Sequence, residues 1–203
     1  QFGPDDHIHP VPSKKYACYY FTDRDRNFEG TGWIPVKLDV PYIDACMAAK
    51  RVKVLPGRYS TLNSYTHTCY MDSKYIHVDE QMVENLVGHP VFFREHPFIS
   101  NSVWTELEES MQQERYRRER NQYIEYINKN VTEGLASETP SHLAGGFIIR
   151  DMRKSRLFNE TWFRHIQICG LNDQISLFFV KQLFADIVQS SKIERGPLIH
   201  EQD

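Results

Sequence analysis

Tyr65-Thr66-His67-Thr68-Cys69-Tyr70-Met71-Asp72-Ser73-Lys74 is the stretch whose reading decides the fold. Tyr, Thr and Cys suit a pleated surface, and the run stops abruptly at a polar turn. It reads as a strand that delivers a carboxylate, Asp72, at its C-terminal end. Upstream, Lys15 to Thr22 (KYACYYFT) reads as a buried first strand ended by Asp23-Arg24-Asp25, with Cys18, like Cys69, a small core residue. Gly30 and Gly32 mark a loop, and Trp33 to Leu38 (WIPVKL) predicts a second strand that Pro35 pushes toward an edge. Tyr42 to Lys50 has helical composition, and Pro56-Gly57 turns the chain after a short apolar segment, Val52 to Leu55.

Downstream, Tyr75 to Val78 predicts a short strand, and Asp79 a cap for a helix from Glu80 to Val87. Val91-Phe92-Phe93 is a further apolar segment. Ser102 to about Asn130 is free of glycine and keeps a loose helical spacing of Trp104, Leu107, Met111, Tyr116, Tyr123 and Ile127. Gly145-Gly146 precedes a strand at Phe147 to Arg150. Glu160 to Ile168 and Ile175 to Val188 read as helices, with a polar tail over 190–203 and an irregular lead-in over 1–14. Alternating strands and helices predict a single α/β domain with a central, mostly parallel sheet flanked by helices.

The composition supports a packed domain. In 203 residues, 40% are hydrophobic and 25% charged, the balance of an ordinary globular chain. The net charge of −3 argues against a nucleic-acid backbone as main partner, which usually calls for a basic surplus. The basic run Arg115-Tyr116-Arg117-Arg118-Glu119-Arg120 lies among Glu106, Glu108, Glu109 and Glu114 and reads as a solvated helix face. No pair of the four cysteines has the close spacing of a zinc knuckle or redox motif, and a reducing cytoplasm fits such usage. No apolar run approaches the roughly 18 residues of a membrane span. Phosphate loops, dinucleotide fingerprints, zinc-protease helices and nucleophile elbows are all missing from the chain.

In open α/β sheets, ligands sit beyond the C-terminal strand ends. Thr22-Asp23-Arg24 and Asp72-Ser73-Lys74 fall there, and Gly145-Gly146 with Asn172-Asp173-Gln174 form a third polar cluster. Asp72 is either a ligand for a hard divalent cation or a strand-ending residue bonded to its own turn. Asp173 is either a general base or, with Asn172, the cap of the following helix. Arg94 and His96 form a charged knot that suits phosphate or acceptor, or else a surface turn. His165 is a candidate metal ligand or a structural histidine on an aromatic helix.

Taken in order, Tyr19-Tyr20-Phe21-Thr22-Asp23, Gly32-Trp33, Lys53-Val54-Leu55-Pro56 and Tyr65 through Lys74 resemble the motif series of a glycosyltransferase-like family with a GT-A fold. Arg94-Glu95-His96-Pro97 and Asn172-Asp173-Gln174-Ile175-Ser176 resemble two later motifs of that series. The family includes plant proteins with a domain formerly of unknown function. Similar domains occur in chlorovirus enzymes that glycosylate the capsid protein. The resemblance implies a nucleotide-sugar donor, often a uridine diphosphate sugar, with Mn²⁺ or Mg²⁺, and a glycan or glycoprotein acceptor. It would put Thr22, Asp23 and Arg24 near the nucleotide, and Gly145 and Gly146 close to the donor sugar. Asp72 would match the metal-proximal carboxylate of an Asp-x-Asp motif. Lys74 stands where a second Asp is common, and there would contact phosphate directly. Asp173 would be the base of an inverting transfer. A viral source would place the protein in host cytoplasm. Two other readings stand beside this one: a retaining transferase, and a sugar- or nucleotide-binding module without catalysis.

Overall fold

The structure is a computed structural model that describes residues 8–39, 45–72, 75–97, 101–193 and 198–200. Its centre is a four-stranded sheet in the order β3 (His67–Met71), β6 (Leu143–Asp151), β5 (Val91–Glu95), β7 (Val188–Ser191). β6 runs antiparallel to both β3 and β5, and only β5 and β7 pair in parallel. The protein is therefore mixed α/β, and the expected mostly parallel central sheet is corrected. β1 (Tyr19–Thr22) and β2 (Ile34–Lys37) form a separate parallel pair, and β4 (Tyr75–Val78) pairs with β8 (Leu198–His200). Pro35 costs β2 little, because among the described residues β2 has a neighbour on one side only.

β6 is apolar because both of its faces are covered. Ile148 packs with Val91, Phe93, Phe158 and Trp162 on one side, beneath α1 (Ala45–Val54), α6 (Arg156–Cys169) and α7 (Asp173–Leu183). Phe147 and Ile149 pack with Tyr75, Val78, Val83 and Phe92 on the other, against α2 (Glu80–Leu86). Gly145 and Gly146 lie inside this strand, not before it. Asp79 caps α2 as expected, accepting from the N–H groups of Gln81 and Met82.

The predicted long helix is three helices: α3 (Val103–Ser110), α4 (Glu114–Arg117) and α5 (Arg120–Thr132). Ser110 Oγ donates back to Glu106 O at 2.6 Å, a contact that competes with the helix ladder, and Gln113 is extended. The breaks let Leu107, Tyr116, Tyr123 and Ile127 all meet Phe178 and Phe179 of α7 in a third apolar cluster. Tertiary burial overrides the smooth polar pattern here. It also overturns the solvated-face reading at Glu106 and Tyr116, both of which are buried. The first strand departs from expectation too. Only Thr22 of β1 is buried, and Cys18 and Cys69 are not core residues. The helix expected to run to Val188 ends at Leu183, and β7 follows where a polar tail was expected from residue 190.

Candidate functional site

One cleft of about 1100 Å³ gathers the Thr22–Arg24 turn, Asp72, His96, Gly146 and Asp173. Aromatic side chains of β1 and of the segment before β3, among them Tyr19, Tyr20 and Tyr65, line it too. Tyr19 and Tyr65 meet edge to face, with their hydroxyls 2.9 Å apart. Thr22 folds the turn locally: its Oγ1 accepts from the Arg24 N–H at 3.1 Å, and Asp23 and Arg24 stay exposed.

Asp72 follows β3 directly. Its N–H donates to Gly146 O at 2.9 Å, which extends the β3–β6 ladder by one bond. Its Oδ1 accepts from the Tyr70 hydroxyl at 2.9 Å. The neighbouring glycines are what make room for this arrangement. A Cβ at Gly146 would lie 2.8 Å from Asp72 Oδ2, and one at Gly145 would lie 2.7 Å from Lys53 Nζ. The space freed by the glycine pair is thus filled by the protein's own carboxylate and ammonium groups.

Asp173 opens α7 but does not cap it. Asn172 does, accepting from the N–H groups of Gln174 and Ile175. The Asp173 carboxylate is left for other partners, in the first turn of a helix, where its charge is favoured. Lys50 Nζ lies 2.7 Å from Oδ1 and Lys53 Nζ 2.5 Å from Oδ2. Burial pushes the Asp173 carboxyl up, but the two ammonium groups outweigh it and hold the carboxyl well below the usual carboxylate range. Lys53 itself sits over the faces of Tyr70 and Trp162, at 5.6 and 5.8 Å from the ring centroids.

A buried polar hub fixes the residues on either side of Asp173. Glu106 accepts from His142 Nε2 at 3.0 Å, Gln174 Nε2 at 2.8 Å, Asn172 Nδ2 at 3.0 Å and Ser110 Oγ at 3.1 Å. Burial works against the Glu106 carboxylate, yet these donors leave its pKa lowered. Gln174 also takes the Gly145 N–H on its Oε1 at 3.5 Å, linking α7 to β6.

The other expected residues fall as follows. His96 lines the cleft, and its backbone N–H donates to His142 O. Arg94 does not line it, but reaches the hydroxyl of Tyr75, which does, at 3.4 Å. His165 stands apart. Its Nδ1 lies 2.6 Å from the Tyr126 hydroxyl between α5 and α6, and it is not among the cleft residues, so the structure does not bring it to Asp72. Lys74 lies outside the described residues.

The sequence points to no chemistry for Lys50, for Lys53 beyond its place in the Lys53-Val54-Leu55-Pro56 motif, or for Glu106, which reads as part of a solvated face. The lysines did leave a signal, since spacing i and i+3 on a helix puts both on one face. Glu106 left none, being one acid among several.

A single carboxylate suits Mg²⁺ or Mn²⁺ when the remaining ligands are substrate phosphate oxygens and water. Asp72, with Oδ2 turned toward the space beside Gly146, fits that role. Among the described residues no group of three or more His, Cys, Asp or Glu side chains is placed to hold a metal alone. No helix of the described residues is long and apolar enough to cross a membrane. No protein-family model matches the chain, and no curated protein matches it.

Proposed function

We propose that this protein is a glycosyltransferase on a GT-A-like fold, moving a sugar from a nucleotide-diphosphate donor, a uridine diphosphate sugar, to a glycan or glycoprotein acceptor. The observation that carries the reading is the meeting of Asp72, Asp173 and the Thr22–Arg24 turn in one cleft, although 150 residues of sequence separate Asp23 from Asp173. The aromatic lining suits a nucleobase and sugar rings, and Lys50 suits a diphosphate.

In this reading the donor's base and ribose lie along the Thr22–Arg24 turn. Asp72 would hold Mn²⁺ or Mg²⁺ against the diphosphate, and the ion would supply charge neutralisation for the leaving group. An acceptor hydroxyl attacks the anomeric carbon while the bond from that carbon to the diphosphate oxygen breaks. The hydroxyl proton passes to Asp173, and the nucleotide diphosphate leaves with the electron pair. Lys50 stabilises the charge that grows on it. Attack from the face opposite the leaving group inverts the anomeric centre.

A second reading, a nucleotide-sugar-binding module without catalysis, is favoured by one feature. A carboxylate clamped by two ammonium groups is a weak base. The deciding experiment is a transfer assay with a panel of nucleotide sugars, Mn²⁺ and glycan acceptors. Wild type should form product of inverted configuration by NMR. Asp173→Asn should still bind the donor but lose at least about a hundredfold in transfer. Tight donor binding with no turnover on any acceptor selects the binding module. Normal transfer by Asp173→Asn removes Asp173 as the base.

A further inference from the structure

The two lysines that grip Asp173 are not held alike. Lys53 is 6% exposed at its side chain and is fixed by Asp173 and by the Tyr70 and Trp162 rings. Lys50 is 13% exposed, lines the cleft, and among the described residues has Asp173 Oδ1 as its one partner. The trio holds two ammonium groups against one carboxylate, and so carries a surplus positive charge in a poorly hydrated place. Leaving a charge uncompensated there is costly, and an anionic ligand relieves it.

We propose that Asp173 is an internal stand-in for an anionic ligand: in the empty cleft it holds the ammonium group of Lys50, and an arriving diphosphate draws Lys50 away while Lys53 keeps its bond to Asp173. Lys53 stays, because two aromatic faces and a buried position hold it. Lys50 moves, because rotation of its flexible stem exchanges one oxyanion for another at little cost. The exchange resolves the weakness of Asp173 as a base. A carboxylate that gives up one of two cations binds a proton more strongly, and it does so only when the donor is in place. The anion exchange stands on the lysine geometry alone; its link to base strength rests on the glycosyltransferase reading.

The test is calorimetric titration of the intact chain with inorganic pyrophosphate and with uridine diphosphate, at fixed ionic strength. Lys50→Met should weaken pyrophosphate binding by at least about tenfold, the loss of one charge-assisted contact. Asp173→Asn, which removes the competitor, should bind pyrophosphate several-fold more tightly than wild type. Lys129→Met, an exposed residue of α5 far from the cleft lining, is the control and should bind as wild type does. Unchanged pyrophosphate affinity in Lys50→Met overturns the proposal, as does weaker or equal affinity in a folded Asp173→Asn. Should Asp173→Asn not fold, Lys50→Met decides alone. If the variants follow the predicted order while no donor and acceptor pair gives transfer, the exchange stands and the glycosyltransferase reading falls. Transfer with unchanged pyrophosphate affinities sinks only the exchange.

Discussion

Asp72 and Asp173 line the same cleft but live in opposite environments. Asp72 is half-buried, and among the described residues its side chain is bonded to a neutral hydroxyl, that of Tyr70. Asp173 is buried and doubly ion-paired, so its charge is already spent within the protein. The difference comes from what stands behind each. Asp72 follows a strand end, and its carboxylate fills the space that Gly146 leaves. Asp173 starts a helix whose neighbours are pinned by the Glu106 hub and whose outlook is closed by two lysines. Under the proposed function, the first would receive a ligand's counter-ion and the second would be released by a ligand.

The largest expected effect falls on the Asp173 side. Glu106→Ala leaves His142 Nε2 and Gln174 Nε2 without their buried acceptor and takes one of two acceptors from Asn172 and Ser110, and should destabilise folding by about 4 kcal/mol in denaturant titration. A loss under about 1 kcal/mol would show that the hub does not hold this half of the cleft. A smaller effect belongs to the Asp72 side. In Gly146→Ala the new methyl meets Asp72 Oδ2 at 2.8 Å and Tyr75 Cε2 at 3.4 Å, so the carboxylate must turn aside. Stability should fall by only about 1–2 kcal/mol, while metal-dependent donor binding is lost. Retained binding would mean that Asp72 does not need its observed pose.

The smallest effect marks a residue that belongs to neither side. Burial lowers the pKa of His165 below its ordinary 6.5. Its neutral form is favoured in the fold, so this contribution is present above pH 6.5 and is lost as pH falls toward the lowered folded value. His165→Gln should therefore lose less stability than wild type between pH 7 and pH 5, by about 0.5 kcal/mol or less after solvent screening. It should bind nucleotide as wild type does, and impaired binding would return His165 to the site.

The elements whose signals are local were legible in the sequence. The strand ending at Asp72, the cap at Asp79 and the buried run Phe147-Ile148-Ile149 each follow from a few neighbouring residues. The break of the long helix was not legible, because Ser110 and Gln113 end it through contacts that a polar periodicity hides. Sheet direction was not legible either, since an apolar run such as that of β6 looks the same whether its neighbours run parallel or antiparallel. For the site, the sequence singled out Asp72, Asp173 and the Thr22–Arg24 turn as separate clusters, and their shared cleft appears only in three dimensions. Asn172 and Asp173 were interchangeable as caps until the cap bonds were seen to go to Asn172 alone.

If the cleft is a donor site with Asp72 as its metal-facing carboxylate, nucleotide binding depends on both the ion and that side chain. Calorimetry of uridine diphosphate binding, with and without Mn²⁺, to wild type and Asp72→Asn tests this most directly. Wild type should bind in a Mn²⁺-dependent manner, and Asp72→Asn should keep its fold but lose the Mn²⁺-dependent gain. Equal Mn²⁺-dependent binding by both proteins, or no binding of the nucleotide by wild type, would contradict it.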